Sequence, residues 1–242
     1  MRLAWAYTKA QTLELLRYPS FSVPTLAMPA ILYVVVGAHR LQAPPNVIMV
    51  SYAAFAVLGV AFFQFGVGVA AERVVPWHRF LRVLPATTFA RFSARIATAL
   101  VFGSLSAAGV VALALATTNA GLPAARWAAV AGVMLLGAVP FALLGIAIGY
   151  WQTPRGALPA ANLLYFGFAY LGGLFGASVA SGGIVGRIQP YVPTHAWLAL
   201  LASASVGGRF APSDVAVLVI FACVCGALAS WGYKRDEGQR FK

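Results

Sequence analysis

The stretch VIMVSYAAFAVLGVAFFQFGVGVAA, residues 47–71, decides the fold of this chain. It contains no charged residue and exceeds the roughly 20 apolar residues that a helix needs to cross a bilayer. The rest of the chain follows the same pattern, since hydrophobic residues make up 61% of its 242 residues and charged residues only 9%. A water-soluble globule of this composition would lack the polar surface to cover its core. We therefore predict an all-α, polytopic membrane protein.

Five long apolar stretches and a sixth, more broken one predict six transmembrane helices. Pro24 and Pro29 interrupt the first, and Pro140 interrupts the fourth, so we expect kinks where neighbouring groups satisfy the freed carbonyls. Gly145 and Gly149 form a G-x-x-x-G pattern, whose usual meaning is close helix packing. The six spans lie at about residues 20–38, 47–71, 96–116, 127–150, 158–179 and 212–233.

The basic residues between the spans predict the orientation. If both termini are cytoplasmic, the inside segments hold thirteen of the 17 Lys and Arg residues and the outside segments hold four. Cytoplasmic loops carry such an excess. The same bias explains the net charge of +12, so nucleic acid is not an expected partner. A cleaved signal peptide is not expected, because the first apolar run begins only near Ser20.

Three segments outside the spans suggest further elements of one membrane domain, residues 1–242. The apolar spacing in 2–18 predicts an amphipathic interfacial helix, or else an extension of span one. The cytoplasmic loop 72–95 is charged and aromatic, which predicts short helices that dock on a partner, or a surface helix lying on lipid. The outer stretch 180–211, broken by Gly and Pro, predicts re-entrant or interfacial helices before the last span.

Catalytic and metal-binding chemistry is not expected. His39, His78 and His195 lie in three separate loops without ligand spacing. The sequence contains no G-x-x-x-x-G-K-[ST] phosphate loop, so we do not expect the chain to hydrolyse ATP by that route. None of the five acidic residues falls in mid-span, which argues against a proton- or sodium-coupled carrier. Gln64 and Asn162 are the strongest polar side chains within the spans, and each either lines a pathway or joins helices by a hydrogen bond.

Three motifs resemble the permease subunit of ABC-2 type transporters, a class that includes bacterial drug-efflux and polysaccharide-export permeases. LRYPSFSVPTLAMPAILYVVVG, residues 16–37, is similar to the family's entry helix and first span with a central proline, here Pro29. Glu72–Arg73, followed by Leu81, Leu84 and Pro85, resembles its coupling segment, although Val75 and Pro76 replace the usual Gly-Thr. VPTHAW, residues 192–197, resembles the pattern before its last re-entrant helix.

The resemblance implies an assembly of several chains in the bacterial plasma (inner) membrane. Two permease chains, as a homodimer or heterodimer, would surround the pathway, and two copies of a separate ABC ATPase, which binds ATP and Mg, would dock from the cytoplasm. The chain itself would hold no cofactor. The ATPase-coupling residues would be Glu72, Arg73, His78, Arg79, Arg82, Leu84 and Pro85, and the pathway-lining residues would be Gln64, Asn162, Tyr165 and Tyr170.

The function that the resemblance implies is ATP-driven export, including multidrug efflux, of an amphiphilic substrate (drug-like, lipid or glycan) by alternating access. Two alternatives stay open: an autonomous channel or secondary transporter, and a non-transporting membrane scaffold or enzyme. Flux in liposomes from the chain alone would identify the channel or carrier. The absence of flux, with or without an ATPase, would identify the scaffold.

Overall fold

The computed structural model describes residues 2–17, 19–37, 43–74, 88–175 and 183–238, and almost all of this part of the chain is helical. It contains no strand there, so the all-α prediction is confirmed for the described residues. The helices are α1 (Arg2–Leu16), α2 (Pro19–Leu32) with a π-helical extension (Tyr33–Gly37), α3 (Pro45–Val60), the π segment (Ala61–Val67), α4 (Gly68–Glu72), α5 (Thr88–Thr117), α6 (Ala124–Trp151), α7 (Pro154–Leu171), α8 (Gly183–Ile188), α9 (Pro193–Val206) and α10 (Pro212–Gly238).

Helices of membrane-spanning length account for four of the six predicted spans. They correspond to predicted spans two, three, four and six. The apolar helix at predicted span one, Thr25–Gly37, is shorter, and α7 at predicted span five has 18 residues. The four long apolar helices are Pro45–Glu72, Arg95–Thr117, Ala124–Trp151 and Pro212–Asp236.

Helix α7 ends at Leu171, earlier than the predicted boundary of 179. Gly173 has φ +77°, a left-handed conformation that only glycine adopts without steric cost. The amide of Leu174 donates to the carbonyl of Ala169 at 2.9 Å, and that of Gly173 donates to Tyr170 at 3.1 Å. These two bonds form a Schellman cap, which closes the helix and turns the chain away.

The backbone carbonyl that Pro29 frees in span one has a hydrogen-bond donor on a neighbouring helix, as a bilayer environment requires. Pro29 has no amide hydrogen, so the carbonyl of Thr25, four residues earlier, loses its helical donor. The hydroxyl of Ser106, on α5, donates to that carbonyl at 2.9 Å. The neighbouring helix therefore satisfies the freed group, and α2 remains helical through the proline.

The helix formed by residues 45–72 is the centre of the bundle, with 72% of its most apolar window buried. It packs against α5, α6, α7 and α9. The two glycines of α6 allow its close approach to the π segment and α4. A Cβ on Gly149 would lie 2.6 Å from the Cβ of Val69, and one on Gly145 would overlap the carbonyl oxygen of Ala61. The close packing predicted from these glycines is confirmed.

Helix α9, within the predicted outer region, is buried among α3, α6 and α10. The fully buried indole of Trp197 donates to the carbonyl of Val133 at 3.1 Å, and Gly137 leaves the space that the indole fills. The hydroxyl of Thr194 donates to the carbonyl of Phe168 at 2.6 Å. At the other end of the chain, α1 packs along α5.

Candidate functional site

The candidate site is a charged cluster at one end of the bundle, where α4, α6 and α10 end and the apolar part of α5 begins. We call this the charged end. Glu72 and Arg73, two of the predicted coupling residues, are consecutive there and contact different neighbours. The carboxylate of Glu72 forms an ion pair with the guanidinium of Arg95, on α5. This pair joins the two ends of the segment 72–95.

Arg73 contacts α6 and α10, two helices other than the one that Glu72 contacts. Its Nε donates to Oδ1 of Asp236, on α10, at 2.9 Å, and its Nη2 donates to the same oxygen at 2.5 Å. Its Nη1 donates at 2.9 Å to the carbonyls of Gly149 and Tyr150, on α6. A longer bond of 3.4 Å reaches the carbonyl of Gln152. One guanidinium therefore bridges the ends of three helices.

The end of α6 provides these acceptors because its sequence stops the helix there. The last carbonyls of a helix have no intrahelical donor and carry the negative end of the helix dipole, so a cation is stabilised beside them. Gln152 has extended backbone, and Thr153 then caps the start of α7 by accepting from the amide of Gly156 at 3.2 Å. The guanidinium of Arg73 also lies over the ring of Tyr150, 5.6 Å from its centroid.

Close contacts between α6 and α10 complete the cluster. The indole of Trp151 donates to the carbonyl of Leu228 at 3.2 Å. A Cβ on Gly232 would lie 2.7 Å from Nε1 of Trp151, so a small residue is needed there. The rings of Tyr150 and Tyr233 meet edge to face, with centroids 5.5 Å apart. These contacts hold α10 against α6 beside Asp236.

A cleft of about 410 Å³ opens beside the cluster, lined by residues that include Arg73, Val74, Trp151 and Arg235. The guanidinium of Arg235 lies 5.5 Å from the centroid of the Trp151 ring. Val74 is the last described residue before the segment 75–87. The remaining predicted coupling residues, His78, Arg79, Arg82, Leu84 and Pro85, lie outside the described residues.

The structure does not bring all the predicted pathway residues to one surface. Tyr165 is buried, stacks on Phe55 with centroids 4.5 Å apart, and donates to the carbonyl of Phe55 at 3.2 Å. Tyr170, on the opposite face of α7, is 44% exposed. Asn162 is half-buried, and Gln64 is buried within the π segment. The contacts of Tyr165 are those of a core residue.

Sequence reasoning missed Asp236, the residue that completes the cluster. The sequence does show an acidic residue directly after Lys234 and Arg235. The prediction of membrane orientation counted only the basic residues of this tail. Among the described residues, no group of three or more His, Cys, Asp or Glu side chains could hold a metal ion.

Comparison with known proteins gives one relevant similarity. The chain is 27% identical over 127 residues to a Bacillus subtilis (strain 168) protein named "Putative transport permease YvfS", a match that covers 52% of each sequence. The chain thus spans about half the length of the curated relative it matches. No family model matches the chain, and no solved structure matches it. The long apolar helices indicate a membrane protein.

Proposed function

We propose that this chain is the permease subunit of an ATP-driven ABC exporter in the bacterial plasma membrane. In this proposal the chain spans the membrane six times with both termini in the cytoplasm, so the charged end faces the cytoplasm. Two permease chains form the pathway, and two copies of a separate ATPase bind ATP and Mg. The substrate is amphiphilic, either drug-like, a lipid or a glycan, and it leaves by alternating access.

The observation that carries the proposal is the ion pair between Glu72 and Arg95. It closes the base of the segment 72–95, which is too long and too aromatic for a simple connection between two spans. A partner bound to residues 75–87 would act on α4 and α5 together, because both are fixed at that base. An ATPase must produce such a movement if its closure is to change the conformation of the membrane helices.

The sequence supports a separate source of energy. It has no phosphate-binding loop of the Walker type, so the chain needs a partner to use ATP by that route. Its acidic residues lie outside the middle of the spans, where ion-coupled carriers usually place one. The similarity to a protein named as a transport permease supports the transport part of the proposal.

The test begins with a Walker-type ATPase encoded by a neighbouring reading frame. We expect the two proteins to co-purify when they are co-expressed, and the complex in proteoliposomes to hydrolyse ATP. Replacing Glu72 and Arg79 together by Ala should abolish this activity while the chain stays in the membrane. Arg209→Ala is the matched control. Arg209 is exposed and lies at the end of the bundle opposite the charged end, so its substitution should leave the activity unchanged.

The single variant Arg79→Ala separates docking from the ion pair, because it leaves Glu72 and Arg95 intact. We expect it to weaken co-purification of the ATPase. Full ATP hydrolysis by the double variant would show that docking is assigned to the wrong residues. Transport by the purified chain alone, without an ATPase, would refute the exporter proposal and identify an autonomous channel or carrier.

A further inference from the structure

We infer that Arg73 and Asp236 are positioning residues that join the charged ends of α4, α6 and α10 into one body, so that these helices move together. Their part in coupling rests on the proposed function. The inference gives Arg73 a different role from a direct contact with the ATPase. It also gives Asp236, an acidic residue in a cationic tail, a specific partner and purpose.

The geometry of the guanidinium carries the inference. Three nitrogens of Arg73 each donate to the cluster, two of them to Asp236 and one to the carbonyls at the end of α6. A guanidinium is planar with its donors fixed in a fork, so one placement serves several acceptors at once. An ammonium group on Lys is a compact charge that cannot reproduce this arrangement.

The burial of the pair distinguishes it from a surface contact. The side chain of Arg73 is 22% exposed and that of Asp236 is 9% exposed. A charge in such surroundings is costly unless an opposite charge compensates it, so loss of either member removes the opposite charge that stabilises the other one. Since the donors of Arg73 already face protein acceptors, they are not directed at a partner chain.

The adjacent residue supplies a natural comparison. Glu72 is 37% exposed in its side chain and pairs with Arg95, on α5. The dipeptide therefore connects the end of the central helix to α5 on one side and to α6 and α10 on the other. Neutralising Glu72 should loosen the first connection only, whereas neutralising Arg73 or Asp236 should loosen the second.

Hydrogen–deuterium exchange of the chain alone, in nanodiscs, tests the connection directly. Arg73→Gln and Asp236→Asn should each raise amide exchange in residues 230–236 by at least about tenfold, because a lost charge-assisted hydrogen bond alone accounts for that factor. Glu72→Gln should leave exchange there unchanged. Asp236→Asn removes the same ion pair from the α10 side, so it still tests the inference if the Arg73→Gln variant fails to insert into the membrane. Unchanged exchange in both variants would overturn the inference.

Co-purification with the ATPase separates positioning from docking. We expect Arg73→Gln and Asp236→Asn to retain the ATPase and to lose most of its activity in the complex, each to a similar degree. Loss of the ATPase from Arg73→Gln, with normal retention by Asp236→Asn, would show that Arg73 is a partner contact and would overturn the inference. If no ATPase binds the unaltered chain, the proposed function fails, while the exchange experiment still decides whether the three helix ends are joined.

Discussion

The close approach of α6 to α4 predicts that the substitution Gly149→Ala is destabilising. A Cβ at this position would lie 2.6 Å from Cβ and 2.8 Å from Cγ1 of Val69, and 3.0 Å from the carbonyl oxygen of Gly66. Val69 is β-branched and Gly66 contributes backbone, so neither group can turn aside as a long, flexible side chain would. The two helices must therefore separate.

The size of the effect follows from the distances. Carbon atoms pack at about 3.5–4.0 Å, so the contact with Val69 needs about 1 Å of additional space. Overpacking of this kind costs about 1–3 kcal/mol. For a chain of this size, each kcal/mol changes Tm by about 2–4 °C, so we expect a Tm about 2–12 °C below that of the same substitution at an open position of α6. Gly149 also offers its carbonyl to Arg73, so the separation should weaken that bond as well.

Thermal unfolding of the purified chain in detergent, followed by tryptophan fluorescence, measures this difference. Gly132→Ala is the matched control, because it makes the same change on α6 where a Cβ meets nothing within 4 Å. Alanine is the better helix former by about 1 kcal/mol, so the control should keep Tm or raise it. Equal Tm values for the two variants would refute the argument that these helices meet through Gly149.

Further predictions concern buried hydroxyl groups. Tyr165→Phe should lower the free energy of unfolding by about 1 kcal/mol, because it removes the hydrogen bond to Phe55. Tyr170→Phe, at an exposed position, should change it by less than about 0.5 kcal/mol, and a larger loss at Tyr170 than at Tyr165 would contradict the assigned packing. Thr194→Val should also cost about 1 kcal/mol in the same unfolding assay through the lost bond to Phe168, and an unchanged stability would exclude that bond.

The long apolar helices could be predicted from the sequence because their signal is local. A run of apolar residues needs no knowledge of its neighbours to be assigned as helix in a membrane. The same holds for Pro29, whose freed carbonyl was expected to find a donor, although Ser106 could be identified only from the structure. The early end of α7 was missed, although Gly172 and Gly173 supply the residue type that a helix cap prefers.

The charged cluster could be predicted only in part because its partners are far apart in the chain. The dipeptide Glu72–Arg73 was predicted to be functional, but the acceptors of Arg73 lie on α6 and α10, and no local pattern pairs them with it. The position of Tyr165 depends likewise on the face of α7 that meets Phe55. Composition and spacing identify which residues are unusual, whereas tertiary packing decides what they contact.

The π segment affects which neighbouring helices each half of the central helix can pack against. A π-helical turn takes in more residues than an α-helical turn, so it shifts the angular phase of everything that follows it. The half formed by α3 is thereby free to match α5 and α9, while the half ending at Arg73 matches α6 and α10. If the same residues formed a uniform α-helix, the surplus residue would turn the later half by about 100°. The surplus residue therefore lets the two halves of one continuous helix pack against different neighbours, each in its own orientation. A uniform helix of the same length could not do this.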